Sequence, residues 1–147
     1  GTANNDNKIS KKIDVIKKIL KSNVNREPLK ILMSLGGREQ AAIFGAVLAA
    51  RAMKIPVLID GFICTSSIIP LFLIEKHSLD HCIFGHCSME RGHKHLLKAI
   101  NKTALLNLNM HLGEGSGAMI ALKVIEAAIN CHNGMASFKS AGVSNSI

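Results

Sequence analysis

The chain has 147 residues, of which 48% are apolar and 19% are charged. This length and composition are typical of a single globular domain and exclude a disordered acidic or basic tail. Trp and Tyr are absent and Phe occurs five times, so we expect an aliphatic core. The longest apolar stretch, residues 55–74, is interrupted by Asp60 and Pro70 and is not predicted to cross a membrane.

The amino-terminal sequence and the spacing of the cysteines indicate the cellular compartment of the protein. The first residues contain no apolar segment of the kind found in signal peptides, so we expect none. The four cysteines are irregularly spaced in a domain long enough to fold without disulfides, which favours reduced thiols. We therefore expect a cytoplasmic protein that does not bind membranes.

The net charge of +8 is concentrated in residues 1–54, which carry eleven of the 18 Lys and Arg residues. Such a basic segment can attract nucleic acid. However, its first six lysines are interspersed with isoleucines at helical spacing, which is typical of the solvated face of an amphipathic helix. Because no aromatic residues are interleaved for base stacking, we favour a solvated face over nucleic-acid binding. A single phosphate-binding lysine within this set stays open.

Sequence patterns predict alternating helices and strands after a turn-rich segment at residues 1–7. We expect an amphipathic helix before a loop at residues 22–28, a short helix at 28–34, a helix at 38–53, a strand at 55–61, a helix at 63–75, a strand at 81–86, a helix at 89–100, a weak strand at 105–108, a long helix that starts within 113–117 and ends near 131, and a tail at 132–147. Strands separated by helices indicate βαβ crossovers and a parallel sheet. Because only three strands are predicted, we expect part of the sheet to be missing.

Three polar or glycine-rich clusters follow the predicted strands. They are residues 60–61, residues 86–88 and residues 113–117. Ligands of open α/β sheets bind at the carboxyl ends of the strands, so we expect these clusters to form one site. Within the last cluster, Glu114 is flanked by glycines and can approach a substrate as a general base. The alternative, that Glu114 only complements the dipole of the following helix, is equally compatible with this spacing.

Other chemistries are less well supported by the sequence. Six His and Cys residues lie within residues 81–95, but their spacing does not match known zinc sites, so we expect no metal. No arrangement of Ser, His and Asp or of Cys and His follows the pattern of a hydrolase nucleophile.

Five ordered motifs resemble those of the nicotinate-nucleotide–dimethylbenzimidazole phosphoribosyltransferase family of cobalamin biosynthesis. They are residues 36–42 (Gly-Gly-Arg-Glu-Gln-Ala-Ala), 55–63 (Ile-Pro-Val-Leu-Ile-Asp-Gly-Phe-Ile), 86–93 (His-Cys-Ser-Met-Glu-Arg-Gly-His), 112–118 (Leu-Gly-Glu-Gly-Ser-Gly-Ala), and 135–138 with 141–143 (Met-Ala-Ser-Phe and Ala-Gly-Val). The resemblance covers about the last two-fifths of a typical member.

The resemblance implies a Rossmann-like three-layer parallel α/β sheet with flanking helices, of which this chain would form the carboxyl-terminal part. It also implies that the tail at residues 132–147 lies in a small helical subdomain and that the protein is a homodimer. The implied reaction moves phosphoribose from nicotinate mononucleotide to 5,6-dimethylbenzimidazole or a related base, and it requires neither metal nor redox cofactor.

The resemblance also assigns roles to individual residues. The family's catalytic carboxylate falls on Glu114, between Gly113 and Gly115, and would take a proton from the benzimidazole. Phosphate and ribose contacts would fall on Gly61 and Ser88. Thr2 lies in a segment similar to a family Gly-Thr-Gly turn, and Lys12 matches the basic residue that follows this turn.

Three positions near the implied site depart from the family pattern. Cys87 and His111 replace residues that are commonly Arg, and Asn107 replaces a common Asp. An alternative interpretation is therefore a truncated, non-catalytic relative that keeps the fold and serves in nucleotide binding or subunit assembly.

Overall fold

The computed structural model describes residues 6–22, 26–111 and 113–144. In this part of the chain the elements, in order, are α1 (Asp6–Ser22), α2 (Pro28–Leu35), α3 (Arg38–Ala52), β1 (Val57–Ile59), α4 (Phe62–Ile74), a 3-10 turn (Lys76–Leu79), β2 (Cys82–His86), α5 (Arg91–Ala99), β3 (Ala104–Leu106) and α6 (Ser116–Gly134).

The three strands form a parallel sheet in the order β1-β2-β3. Val57 is the partner of Cys82, and His86 is the partner of Leu106, so neighbouring strands end close to one another at their carboxyl ends. Helices α4 and α5 form the crossovers between successive strands. The predicted parallel α/β architecture is confirmed.

The hydrophobic core lies on the side of the sheet that is covered by α3, α4 and α5. Its fully buried members are Val47, Ile59, Ile68, Leu71, Leu79, Cys82, Phe84, Leu97 and Ile100. On the opposite side, α6 packs against the strands, mainly against β2. There, Ile83 and Leu105 keep 38% and 49% of their surface exposed. The sheet is therefore fully covered on one face only, as expected for a partial domain.

Helix α6 packs closely against β2 because both elements carry glycine at the contact. A Cβ atom at Gly85 would lie 3.2 Å from the Cα of Ala118. A Cβ atom at Gly117 would overlap the His86 ring, which therefore lies directly against the backbone of α6. The absence of a side chain at position 117 creates the space that the buried His86 occupies.

Helix α1 is amphipathic in sequence but leaves its apolar residues at the surface. In the described part of the chain, Ile9, Ile13, Val15, Ile16, Ile19 and Leu20 are between 37% and 65% exposed. The described lysines of this helix, Lys11, Lys12, Lys17, Lys18 and Lys21, are exposed as predicted, whereas its apolar residues do not contribute to the core.

Several elements differ in extent from the prediction. Strand β1 is shorter than predicted because the amide of Ile55 bonds to the carbonyl of Ala50 and Pro56 has no N–H. Strand β3 ends at Leu106, whose carbonyl accepts the amide of Cys87 just beyond β2. Helix α1 begins within the segment predicted as turn, and α6 continues to Gly134, so the start of the tail at 132–147 is helical. Its assignment to a separate helical subdomain stays a prediction.

The cysteines are unpaired, and one is a core residue. Cys64, Cys82, Cys87 and Cys131 form no disulfide. Burial raises the pKa of the Cys82 thiol to about 11, so this group is a neutral core side chain at physiological pH. In the described part of the chain no helix has the length and apolarity needed to span a membrane.

A buried histidine joins α4, α5 and the loop after β2. The amide of Ser88 donates to Nδ1 of His93 at 2.9 Å, so the ring proton is on Nε2, which donates to Oγ1 of Thr65 at 3.0 Å. His93 is completely buried. Burial lowers its pKa below the usual 6.5, and the nearby His86 ring acts in the same direction, whereas Asp60 opposes the shift.

Acidification should destabilise the fold through His93. Because its folded-state pKa is depressed, the unfolded chain binds more protons, so stability is complete above pH 6.5 and is lost as the pH falls below that value. The slope from one such group is at most about 1.4 kcal/mol per pH unit. Urea unfolding at a series of pH values gives the free energy of unfolding as a function of pH. Below pH 6.5 this free energy should fall less steeply with pH in His93→Gln than in the unsubstituted chain. The exposed neighbour variant His95→Gln should retain the steeper slope, and an unchanged slope in His93→Gln would contradict this account.

The contact between Gly117 and His86 should not tolerate a side chain at position 117. Gly117→Ala places a methyl group into the His86 ring, and overpacking of this kind lowers the free energy of unfolding by about 1–3 kcal/mol. The control is Gly134→Ala on the same helix, where an added Cβ meets nothing within 4 Å. Urea denaturation should separate the two variants, and equal midpoints would show that His86 can move aside.

Candidate active site

A cleft of about 350 Å³ opens where the strands end. Three segments that are distant in sequence line it: the residues that follow β1, those that follow β2, and those that precede α6. These are Asp60, Gly61, Phe62, Ile63 and Cys64; His86, Ser88 and Glu90; and His111, Gly113, Glu114 and Gly115. The three clusters predicted from the sequence therefore meet in one site.

The Asp60 carboxylate connects the first of these segments to the last. Its Oδ1 accepts the amide of Ala118 at 2.9 Å, and its Oδ2 accepts the amide of Gly115 at 3.3 Å. A carboxylate at a helix amino terminus satisfies unpaired amides and complements the helix dipole. The start of α6 therefore does not offer all of its amides to a bound anion, because Asp60 already occupies two of them.

Beside Asp60 lies the His86 ring, which is only 2% exposed. Its Nδ1 is 3.6 Å from Oδ1 of Asp60, slightly beyond hydrogen-bond distance, and no other described residue bonds to it. A Cβ atom at Gly61 would lie 2.8 Å from the ring, so glycine is also needed on this side. A buried polar nitrogen without a hydrogen-bond partner typically lowers the free energy of unfolding by about 1–3 kcal/mol. The nearby Asp60 carboxylate is the polar group that faces this nitrogen.

Glu114 lies at the rim of the cleft in a left-handed backbone conformation. Its φ is 64°, and that of the following Gly115 is 82°. A side chain other than glycine in this region carries strain of about 1–3 kcal/mol, and such strain is concentrated at functional sites. The Glu114 side chain is exposed to solvent within the cleft.

The first turn of α4 forms another wall. Its N-cap, Gly61, has no side chain that could bond to the first amides, and the first helical bond runs from the amide of Thr65 to the carbonyl of Gly61. The amides of the residues between them therefore have no capping side chain, and these residues line the cleft. A helix start of this kind attracts anions.

Ser88 is held in position by its neighbours. Its amide donates to the buried His93, and its Oγ accepts the amide of Glu90 at 3.2 Å. These two bonds form a turn in front of α5. The helix therefore begins at Arg91, two residues after the predicted start at residue 89.

The predicted site residues divide into three groups. Gly61, Ser88, Gly113, Glu114 and Gly115 line the cleft together. Lys12 lies on α1 and is not among the lining residues. Thr2 lies outside the described residues.

The structure adds residues that the sequence patterns did not single out. Glu90 brings a second carboxylate to the cleft and could have been found by extending the cluster after β2 by two residues. Of the three departures from the family pattern, His111 lines the cleft. Cys87 and Asn107 line a separate groove along α5 and β3, so they do not remove polar groups from this site.

A metal centre finds no support in the described residues. Across residues 6–22, 26–111 and 113–144, no group of three or more His, Cys, Asp and Glu side chains is arranged to hold a metal ion. The buried histidine behind the site bonds to protein groups instead, since His93 pairs with Thr65.

Comparison with known proteins gives consistent results. A family model described as phosphoribosyltransferase matches residues 1–143. The chain is 47% identical over 143 residues to a nicotinate-nucleotide–dimethylbenzimidazole phosphoribosyltransferase of Rhodobacter capsulatus, covering 97% of this chain and 43% of the relative. It is 49% identical over 121 residues to the protein of the same name from Brucella anthropi, covering 82% and 36%.

The fold comparison agrees. A crystal structure of the enzyme of this name from Thermus thermophilus superposes with a TM-score of 0.75 and 36% identity, covering 84% of this chain and 37% of that one. The chain thus spans about two-fifths of the length of these relatives. Since the family model covers nearly the whole chain, the chain belongs to the nicotinate-nucleotide–dimethylbenzimidazole phosphoribosyltransferase family.

Proposed function

We propose that this chain forms the catalytic part of an enzyme that transfers phosphoribose from nicotinate mononucleotide to 5,6-dimethylbenzimidazole or a related base. The products are the α-ribotide and nicotinate. The observation that carries the proposal is that Glu114 lines the same cleft as Gly61 and Ser88, where a nucleotide would bind. The names of the relatives supply the substrates.

The nucleotide phosphate would bind at the start of α4. Phe62 and Ile63 line the cleft at a helix start that has no capping side chain, and Gly61 lets the phosphate approach the backbone. The start of α6 is less suitable because Asp60 already accepts two of its amides. Ser88, on the neighbouring loop, is within the same cleft and would contact the ribose or the phosphate.

Glu114 would act as the general base. One nitrogen of the benzimidazole attacks C1′ of the ribose, and the bond to nicotinate breaks with its electron pair passing to the departing ring. The proton on the other benzimidazole nitrogen passes to the Glu114 carboxylate, which balances the step. Because the α6 amides are capped by Asp60, Glu114 is not needed there and its exposed carboxylate is available to a substrate.

The remaining assignments rest on the family resemblance. We place the reaction in the cytoplasm and in a homodimer, without a metal or redox cofactor. Thr2 and Lys12 would join the substrate contacts through parts of the protein beyond the cleft described above.

Removal of the Glu114 carboxylate should abolish catalysis but not nucleotide binding. In the full-length protein, or in this chain completed by the remaining part of the Rhodobacter capsulatus relative, Glu114→Gln should lower kcat by about 10²–10⁴-fold, as expected for loss of a general base. The KM for nicotinate mononucleotide should change little. Ribotide formation measured by chromatography gives both constants.

The matched control for this experiment is Glu126→Gln, which removes an exposed carboxylate paired with Lys123 on α6. It should retain normal turnover. Unchanged turnover in Glu114→Gln would show that another group takes the proton. Retained nucleotide binding in an otherwise inactive wild-type protein would instead favour the non-catalytic module.

The isolated chain should be inactive or should self-associate. The outer edges of β1 and β3 have no partner strand in the described part of the chain. On the face of the sheet against which α6 packs, Ile83 and Leu105 stay partly exposed. Unpaired strand edges and exposed apolar faces promote association. Size-exclusion chromatography with light scattering, combined with the turnover assay, tests this expectation, and an active monomer would contradict it.

A further inference from the structure

We infer that His86 is a positioning residue: its protonated Nδ1 faces the Asp60 carboxylate and holds it in the orientation that caps α6 and fixes the turn at Glu114. The consequence for catalysis rests on the proposed function, whereas the contact itself does not. The inference assigns a role to a buried polar group that the reaction described above leaves unused.

The His86 ring is closely confined by its surroundings. His86 is 2% exposed, and the backbone lies so close to its ring that a Cβ atom at Gly61 or at Gly117 would collide with it. His93 packs edge-on at a centroid distance of 6.4 Å. A ring packed this closely cannot turn Nδ1 toward another partner without displacing α4 or α6.

The charge of the Asp60 carboxylate favours a proton on Nδ1 of His86. Nδ1 is 3.6 Å from Oδ1 of Asp60 and has no hydrogen-bond partner among the described residues. An unprotonated Nδ1 would direct its lone pair at a carboxylate oxygen, which is repulsive in a buried site. A protonated Nδ1 is attracted to the same oxygen, so the Nδ1–H form is favoured. The other titratable ring at this contact, His93, presents its own donor to Thr65.

The contact between His86 and Asp60 is connected to the backbone next to Glu114. The oxygen that faces His86 is the one that accepts the amide of Ala118 at 2.9 Å, and the second oxygen accepts the amide of Gly115. Rotation of the Asp60 carboxylate would break both bonds. Because Glu114 directly precedes Gly115, the position of its carboxylate depends on them.

The ring tautomer in the unsubstituted chain provides a direct test. With ¹⁵N labelling, the ring nitrogens of His86 should show a protonated Nδ1 at pH 7.5, whether or not Nε2 is also protonated. An unprotonated Nδ1 would overturn the inference. This measurement needs neither a variant nor turnover.

Two nearly isosteric variants separate hydrogen bonding from packing. His86→Asn places an amide nitrogen close to the position of Nδ1, whereas His86→Leu places a methyl group there. We expect the amide of Ala118 to exchange with solvent at least about tenfold faster in His86→Leu than in His86→Asn. The amide of Ile100, bonded to Leu96 at the end of α5, should exchange equally in both and serves as the internal control.

Equal exchange at Ala118 in the two variants would overturn the inference, and if neither variant folds, the tautomer measurement decides. In an active preparation, kcat should be lower for His86→Leu than for His86→Asn. Faster exchange in His86→Leu together with an inactive full-length or completed wild-type protein would contradict the proposed function alone. Normal turnover with equal exchange would contradict the role of His86 alone.

Discussion

The site depends on one carboxylate, that of Asp60, which bonds to amides at the start of α6. This contact connects the loop after β1 to a helix whose first residues lie more than fifty positions later. Without it, the amides of Gly115 and Ala118 would lose the carboxylate that accepts them, although the carbonyl of Gly115 would still accept the amide of Met119. The glutamate at the rim owes its position to a contact made by a different residue.

The second constraint is the close approach of the layers. Glycines at positions 61, 85 and 117 allow two helices and the central strand to meet around the His86 ring. A histidine in such a position is compatible with the core because it fills volume as an aromatic ring while keeping a nitrogen next to Asp60. Packing and electrostatics at the site are therefore properties of the same few residues.

Much of the architecture could be predicted from the sequence, and the reasons are physical. Buried parallel strands have short apolar runs, and their polar ends must converge, so the meeting of residues 60–61, 86–88 and 113–117 could be predicted from the strand pattern, whereas the roles of Gly61 and Ser88 within it came from the family resemblance. The capping role of Asp60 could not be predicted, because it depends on a tertiary contact between residues with no local pattern in common. The extent of β1 likewise depends on how the end of α3 is closed, by the bond from Ile55 to Ala50.

The sequence separation of the Asp60–Ala118 bond has a consequence for the order of folding. Closing a loop of this length costs more conformational entropy than forming a helix or pairing strands that are closer in sequence. Contacts within α3, α4 and β2 can therefore form first. During synthesis, the ribosome must also release α6 before this bond can exist. We therefore expect the cleft to form late, and a nascent chain that stalls before α6 emerges to have a core without this cleft.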